Sequence, residues 1–211
     1  SLRRQRQMCI RDSIKRVKKL NKLKNNGIYD NTIILFTSDN GPTYAGGVDF
    51  EYFNSIGIFQ NKKDRMKGYT YEGGIRVPFI MSWPNRINKG RVEKEIFASY
   101  DLFPTICDLV NVDFPDNLDG LSMKPTILGN GKQNSHDYLY WEFPAYGGQQ
   151  ALRMGKWKAI RKNIFKGNKH IELYNLDNDI RETNDFSNLN YKLIKKIDSI
   201  FKEEHSESSI E

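Results

Sequence analysis

Two short segments contain the residue types that could bind a metal ion and an anion. In the first, Thr37 to Pro42, Asp39 and Asn40 directly follow a run of apolar and β-branched residues. Their side chains offer hard oxygen atoms, which suit calcium or magnesium and not a thiophilic metal. Calcium takes roughly six or more ligands, so this pair can supply only part of a site. Asp-Asn-Gly-Pro is also a typical turn sequence, and an ordinary turn is the alternative.

The second segment runs from Met66 to Pro78 and contains Lys67 and a glycine pair. A lysine in this loop could reach toward the metal and act as a point charge that binds an oxyanion. The alternatives are a solvated surface lysine and glycines that only mark turns. The functional hypothesis therefore requires Lys67, Asp39 and Asn40 to converge on one small anion.

The elements around these segments predict an α/β domain. Apolar, β-branched runs at Thr32 to Thr37 and Val77 to Trp83 predict two strands covered on both faces, as in a parallel sheet. Helices are predicted at Ile14 to Asn26, where Gly27 is the C-terminal stop, and at Ser99 to Val110.

Between the two predicted strands, the stretch Gly41 to Gly74 has little periodicity and is predicted to be a long functional loop. Its part from Thr43 to Arg65 is rich in Tyr and Phe and is expected to border a leaving-group pocket. Asp39 precedes the loop at the carboxyl end of a strand, which is where parallel α/β sheets bind ligands.

Beyond Gly129 the pattern changes to short β-like runs separated by turns, which predicts antiparallel hairpins. These runs are Tyr138 to Phe143, Ala151 to Met154, Trp157 to Arg161 and Ile171 to Leu176. A final amphipathic helix is predicted to cover this sheet with an apolar face of Leu189, Leu193, Ile194, Ile197 and Phe201.

The composition is that of a globular protein, because 38% of the residues are hydrophobic and no apolar run approaches the roughly 20 residues of a membrane span. Residues 3–13 resemble a translated sequencing adapter and are excluded from fold reasoning. Without the four Arg and one Asp of that segment, the net charge falls from +7 to +4. The charge therefore gives no support for a nucleic-acid partner.

The remaining candidate residues have simpler explanations. His136, His170 and His205 lack metal-ligand spacing and are predicted to be surface or hydrogen-bonding histidines. Cys107 lies in an apolar stretch and is predicted to be a small core residue. The aromatic run from Tyr138 to Phe143 could line a carbohydrate cleft, but a half-buried strand explains it more simply.

In order and spacing, these motifs resemble the second half of type I sulfatases, the arylsulfatase family of the alkaline-phosphatase-like superfamily. The resemblance implies the C-terminal part of an α/β sandwich domain, followed by a small α+β subdomain. The predicted organisation is a non-native segment (1–13), the α/β domain (14–129), the subdomain (130–204) and a frayed tail (205–211). The resemblance rests on Asn31 to Pro42, Lys67 to Pro78, Tyr100 to Thr105, Asp119 to Ser122, Gly155 to Lys158 and Leu173 to Leu176.

The resemblance implies a sulfuric-ester hydrolase. Asp39 and Asn40 would supply half of a calcium site, and Lys67 would contact the sulfate ester in catalysis and substrate binding. Glu72, Arg76 and Asp101 also match recurrent positions and are expected to support the loop geometry and the helix start.

Other parts of the family's machinery are expected to lie outside these residues. The formylglycine nucleophile of such enzymes arises from a Cys or Ser in a Cys-x-Pro-x-Arg-like motif, whereas Cys107 is followed by Asp-Leu-Val. The nucleophile and the paired aspartates that complete the calcium site are expected upstream. We therefore expect this chain alone to be inactive and to bind calcium incompletely.

Two other functions stay open from the sequence. One is a phosphonate or phosphate-ester hydrolase of the same superfamily, and the other is a non-catalytic carbohydrate-binding relative. The expected partner is a sulfated small molecule or carbohydrate. The family implies a periplasmic, extracellular or lysosomal location, whereas the substrate and the oligomeric state are not predicted.

Overall fold

The computed structural model describes residues 16–47, 49–60 and 62–207, so the adapter-like segment lies outside the described residues. The described residues form two compact units, which fall within Ser1–Thr37 with Phe79–Ser135 and within Ser38–Pro78 with His136–Glu211. The helices are α1 (16–25), α2 (Glu72–Ile75), α3 (Leu102–Leu109), α4 (Lys124–Leu128) and α5 (Tyr191–Glu203). The strands are β1 (Ile34–Thr37), β2 (Phe79–Ser82), β3 (Leu139–Phe143), β4 (Gln149–Met154), β5 (Trp157–Lys162) and β6 (Glu172–Asn175).

In the first unit, β1 pairs with β2 in an antiparallel two-stranded sheet, with Ile34 opposite Ser82. The prediction of two parallel strands covered on both faces is therefore wrong for the described residues. An apolar run identifies a strand, but it does not give the direction of the neighbouring strand. A two-stranded sheet also has few neighbours to cover its faces, and Phe36 and Ile80 are exposed.

Helix α3 follows a 3-10 turn at Ser99–Asp101, which confirms the predicted helix in this region. Pro104 lies in its first turn, where a missing N–H group is tolerated. The carboxylate of the buried Asp101 accepts hydrogen bonds from the backbone N–H groups of Ala98 and Leu121, both at 2.8 Å. Asp101 thus supports the helix start, as predicted.

The second unit is built on a four-stranded sheet in the order β3, β4, β5, β6. Each strand pairs antiparallel with the next strand in the chain, which confirms the predicted hairpins. Successive side chains point to opposite faces of a strand, yet Ala151 and Leu152 on β4 are both fully buried. The sheet is therefore covered on both sides.

Helix α5 covers one face of this sheet, as the amphipathic pattern predicts. Leu189 is the exception, because it lies in a 3-10 turn before the helix and is 80% exposed. The helix begins only after this turn, so Leu189 is not on its apolar face. Ile200, which the prediction did not include, is on the helix and is buried. The core of this layer consists of Leu152, Ala159, Ile171, Leu173, Ile197, Ile200 and Phe201.

The other face of the sheet is covered by Tyr71, which packs with Ala151, Ile160 and Tyr174. Tyr71 belongs to the long segment Ser38–Pro78, which contains the predicted functional loop. That segment consists mostly of turns and short helical pieces, in agreement with the prediction of a loop. The residues predicted for the site are therefore part of a segment that packs on the C-terminal sheet.

The linear division into a domain at 14–129 and a subdomain at 130–204 stays a prediction. Within the part of the chain that the structure describes, none of the helices has the length and apolar character needed to cross a bilayer.

Substitution of Leu152 tests the packing of the C-terminal sheet. We expect Leu152→Ala to lower the free energy of unfolding by about 3 kcal/mol, because it leaves a cavity at a fully buried position. The exposed Leu189→Ala is the matched control and should change the stability by less than about 0.5 kcal/mol. Urea unfolding followed by circular dichroism measures both, and equal losses would contradict this core.

Candidate functional site

Asp39 and Asn40 lie in a hydrogen-bonded turn that follows β1 in the chain. The Ser38 hydroxyl donates to the backbone carbonyl oxygen of Asn40 at 2.9 Å, and Nδ2 of Asn40 donates to the carbonyl oxygen of Gly41 at 2.8 Å. The amide nitrogen of Asn40 is thus engaged inside the turn, and its amide oxygen is the atom suited to a ligand. The Asp39 side chain is exposed. These residues can therefore form a turn and still present the Asp39 carboxylate and the Asn40 amide oxygen to a ligand.

Backbone hydrogen bonds join this turn to the segment that contains Lys67. The N–H of Gly41 donates to the carbonyl oxygen of Gly74 at 2.8 Å, and the N–H of Lys67 donates to the carbonyl oxygen of Pro42 at 2.9 Å. The Lys67 side chain is exposed and accessible to a ligand. The structure thus brings together the two segments that the sequence predicts to converge, while the metal and sulfate roles of their side chains stay predictions.

Close backbone contacts leave room only for glycine at three positions, one between the two segments and two within the stretch from Arg65 to Gly74. A Cβ atom on Gly41 would lie 1.9 Å from the carbonyl oxygen of Gly73. A Cβ on Gly73 would lie 2.4 Å from the carbonyl oxygen of Arg65, and one on Gly74 would lie 2.0 Å from that of Tyr69. The glycine pair lies inside α2, so its interpretation as turn punctuation is wrong. These glycines are needed for backbone contact.

Gln149, at the start of β4, fixes the loop around Lys67. This buried side chain donates from Nε2 to the carbonyl oxygen of Gly68 at 2.9 Å, and its Oε1 accepts from the N–H of Thr70 at 3.3 Å. Gly68 and Thr70 are one and three residues after Lys67. Through Gln149, the sheet therefore holds the backbone of the loop that contains Lys67, the residue predicted to bind sulfate.

An open cavity of about 570 Å³ lies beside the turn. Asn40 and Arg76 line it, together with Phe59 and other residues of the segment between Thr43 and Arg65. The Arg76 guanidinium lies 5.9 Å from the centre of the Phe59 ring. The cavity agrees with the prediction that this segment borders a pocket, and its assignment to a leaving group stays a prediction.

A buried carboxylate, Glu72, lies beneath the loop in contact with three cations. Its Oε1 is 2.9 Å from Nζ of the fully buried Lys158, and its Oε2 is 3.3 Å from Arg76 and 4.0 Å from Arg153. Burial acts to raise the pKa of Glu72, but the three positive charges outweigh burial and hold the pKa below its usual value. Glu72 is therefore ionised and joins α2 to the sheet, which supports the predicted role in loop geometry.

A second carboxyl group, Glu182, packs against the first. Its Oε2 accepts a hydrogen bond from the N–H of Glu72 at 2.9 Å, whereas its Oε1 is buried without a hydrogen-bond partner among the described residues. Burial, aided by the negative charge of Glu72, raises the pKa of Glu182 to about 7, although Lys158 acts in the opposite direction. Glu182 therefore changes its charge near neutral pH.

The donor set at the turn fits calcium in type but not in number. A carboxylate and an amide oxygen are hard ligands, and Asp39 and Asn40 are the residues that would hold the ion. Within residues 16–47, 49–60 and 62–207, no three His, Cys, Asp or Glu side chains are grouped closely enough to hold a metal. His170 and His205 instead contact Asp185 and Glu142, which agrees with their predicted hydrogen-bonding roles.

Sequence reasoning missed Gln149, Lys158 and Glu182. Lys158 lies in β5, where three of the six residues are Lys or Arg, so the local sequence does not mark this lysine as buried. Gln149 and Glu182 have no local signal either, because their partners are 79 and 110 residues away in the sequence.

Comparison with known proteins assigns the family. The family profile described as N-sulphoglucosamine sulphohydrolase, C-terminal, matches residues 63–207, which is more than half of the chain. The profile described as Sulfatase matches residues 12–112. This chain belongs to the sulfatase family. The resemblance to the C-terminal part of a sulfatase is thereby confirmed.

Two curated sulfatases illustrate how much of the family this chain covers. It is 36% identical over 138 residues to arylsulfatase A from Homo sapiens, an alignment that covers 63% of this chain and 25% of that protein. It is 26% identical over 200 residues to N-acetylgalactosamine-6-O-sulfatase from Bacteroides thetaiotaomicron, covering 86% of this chain and 38% of that protein. This sulfatase chain therefore spans well under half the length of these relatives.

Solved structures confirm the alkaline-phosphatase-like α/β fold class. Ps i-CgsB, solved in complex with k-i-k-neocarrahexaose, matches with a TM-score of 0.71 and 30% identity, covering 87% of this chain and 38% of that one. A phosphonate monoester hydrolase from Silicibacter pomeroyi matches with a TM-score of 0.64 and 19% identity. The second likeness shows a shared fold and does not bear on the substrate of this sulfatase chain.

Replacement of Gly74 tests the close backbone approach. We expect Gly74→Ala to lower the free energy of unfolding by about 3 kcal/mol or more, since its Cβ would overlap a backbone oxygen. Gly57→Ala is the matched control in the same segment. Gly57 has φ 65 and open space around it, so alanine there introduces only backbone strain of about 1 kcal/mol. Similar losses in urea unfolding would contradict the proposed fit.

The protonation of Glu182 predicts a dependence of stability on pH. Its folded pKa of about 7 lies above the usual 4.5, so the folded state binds more protons than the unfolded state between these values. The stabilisation is complete below pH 4.5 and is lost as the pH rises through 7, by ~3 kcal/mol. Urea unfolding between pH 5 and 8 measures this slope. Glu182→Gln should flatten it, and an unchanged slope in that variant would exclude Glu182 as its source.

Proposed function

We propose that this chain supplies part of the active site of a sulfuric-ester hydrolase of the arylsulfatase type. The observation that carries the proposal is the backbone pairing between the Asp39–Pro42 turn and the Lys67 loop, in a chain that belongs to the sulfatase family. In this proposal, the two oxygen donors and the cation that these segments carry act on one anion. A sulfate ester is an anion that such a set can hold.

Each of the three side chains has a distinct role in this proposal. Asp39 and Asn40 hold a calcium ion through their oxygen atoms, and the ion, when bound, neutralises charge on the sulfate oxygens. Lys67 donates hydrogen bonds from its ammonium group to the same oxygens and stabilises the charge that develops on them. The Gln149 side chain keeps the Lys67 backbone in register with the turn.

We propose that the nucleophile and the remaining calcium ligands lie outside these 211 residues. A formylglycine is the nucleophile that the family implies, and Cys107 lacks the sequence context that would produce it. We therefore propose that the isolated chain has no sulfatase turnover and only weak calcium affinity, and that catalysis belongs to the full-length protein.

The substrate that we propose is a sulfated carbohydrate. The N-acetylgalactosamine-6-O-sulfatase relative and the neocarrahexaose complex of Ps i-CgsB both have sugars in their names, and the second shares 30% identity with this chain. An aryl sulfate would serve as a simple reporter of the same ester chemistry. The location that we propose is periplasmic, extracellular or lysosomal, as the family implies.

Kinetics on the full-length protein test this function. We expect Lys67→Ala to lower kcat for 4-methylumbelliferyl sulfate about 100-fold or more, because a charge that stabilises the transition state is lost. Lys62→Ala, an exposed lysine of the same loop, is the matched control and should change kcat less than about twofold.

Two outcomes would contradict the proposed function. One is equal activity of the Lys67→Ala and Lys62→Ala proteins. The other is faster turnover of a phenyl phosphonate monoester than of the sulfate ester, which would favour the phosphonate hydrolase. Turnover by the isolated 211-residue chain would overturn the proposed absence of the nucleophile.

A further inference from the structure

Three tyrosines from separate parts of the chain are in contact beside the Lys67 loop. The rings of Tyr69 and Tyr146 stack with centres 4.8 Å apart and an angle of 11° between their planes. The Tyr146 hydroxyl shares a hydrogen bond with Tyr44, which raises the pKa of Tyr146. All three lie in the second compact unit. We call these three residues, joined by the ring stack and the hydrogen bond, the tyrosine cluster.

The tyrosine cluster adjoins the backbone of the proposed sulfate site. Tyr69 is two residues after Lys67, and Tyr44 is two residues after Pro42, whose carbonyl oxygen accepts the Lys67 N–H. Gly68, which lies between Lys67 and Tyr69, packs closely against the Tyr146 ring. A Cβ on Gly68 would lie 2.5 Å from Cε2 of that ring. In the sequence, the tyrosine cluster is therefore only a few residues from Lys67 and from the turn that contains Asp39 and Asn40.

Tyr146 is held at this position by a costly backbone conformation. Its φ is 55, in the left-handed region that a bulky residue rarely adopts, and the next two residues, Gly147 and Gly148, have φ 88 and 78. Such strain persists where the surroundings enforce it, and it concentrates at ligand sites. The turn between β3 and β4, closed by a hydrogen bond from the N–H of Gly148 to the carbonyl oxygen of Ala145 at 3.3 Å, imposes this conformation and leaves Tyr146 53% exposed.

The Lys67 loop is held in place by contacts other than those of Tyr146. The buried Gln149 holds Gly68 and Thr70 through hydrogen bonds, so the Lys67 loop is fixed without help from the exposed part of Tyr146. An exposed tyrosine ring offers an apolar face and a hydroxyl group, which match the C–H face and the hydroxyl groups of a sugar ring. Tyrosine also loses little conformational entropy when it binds a ligand.

We propose that the tyrosine cluster is a subsite for the sugar ring of the sulfated substrate, with Tyr146 as its principal contact. This assignment rests on the proposed function, in which the neighbouring Lys67 binds the sulfate group. In this arrangement, Lys67 recognises the sulfate and Tyr146 recognises the carbohydrate part. Tyr146 is thus a specificity-determining residue that binds the sugar and takes no part in the chemical step.

Binding to the 211-residue chain tests the subsite without catalysis. The probes are N-acetylgalactosamine, N-acetylgalactosamine 6-sulfate and neocarrahexaose, titrated into ¹⁵N-labelled protein and followed by NMR. We expect Tyr146→Ala to weaken the binding of all three about fivefold or more, and Tyr146→Phe to weaken it less because the ring remains. Tyr191→Ala, an exposed tyrosine of α5, is the control and should bind as the unchanged chain does. The NMR spectra also report whether each variant is folded.

The outcomes separate the subsite from the proposed function. Equal binding by the Tyr146→Ala and Tyr191→Ala chains, or binding of none of the three sugars, would overturn the subsite. If Tyr146→Ala weakens binding but Lys67→Ala leaves the preference for the sulfated sugar unchanged, the subsite stands and the sulfate role of Lys67 fails.

Kinetics of the full-length protein provide a second readout that a purely structural role would not give. We expect Tyr146→Ala to raise KM for a sulfated saccharide about fivefold or more while its kcat stays within about twofold. The kcat for 4-methylumbelliferyl sulfate should also stay within about twofold, while its KM can rise because its aromatic ring can stack on the tyrosines as well. A fall in kcat for both substrates would mean that Tyr146 only holds the loop, and it would overturn the subsite.

Discussion

The ion pair between Glu72 and Lys158 joins the loop that carries the candidate site to the sheet that supports it. Lys158 is fully buried, and its ammonium is 2.9 Å from the Glu72 carboxylate. Two charges at such a depth are tolerated only as partners, because an unpaired buried charge costs several kcal/mol. Glu72 begins α2, and α2 contains the glycines that meet the Asp39 turn. The position of the site therefore depends on this pair.

Other contacts, besides the Glu72–Lys158 ion pair, also position the candidate site. Gln149 holds the backbone just after Lys67, and Gly41 allows the Asp39 turn to approach the Lys67 segment within hydrogen-bond distance. These contacts come from residues far apart in sequence, on the loop and on β4. Since the C-terminal sheet is the common support, it acts as the scaffold of the candidate site and not as an appended module.

The sequence predicts the local elements and the site segments well, because hydrophobic period and turn chemistry are local signals. The four hairpin strands and α5 follow from such signals. The direction of β2 relative to β1 and the exposure of Leu189 do not, since they depend on pairing and on where a helix begins. Lys158 and Glu182 illustrate the larger gap, because burial of a charged residue is decided by partners that no local pattern reveals.

The central claim is that Lys67 and the Asp39 turn act on one anion, and a structure of the full-length protein with calcium and sulfate tests it most directly. We predict one sulfate ion with an oxygen about 3 Å from Nζ of Lys67. The same ion should contact a calcium that the side-chain oxygens of Asp39 and Asn40 coordinate. A Lys67 ammonium that points to solvent, with the sulfate and the calcium bound elsewhere, would contradict the account.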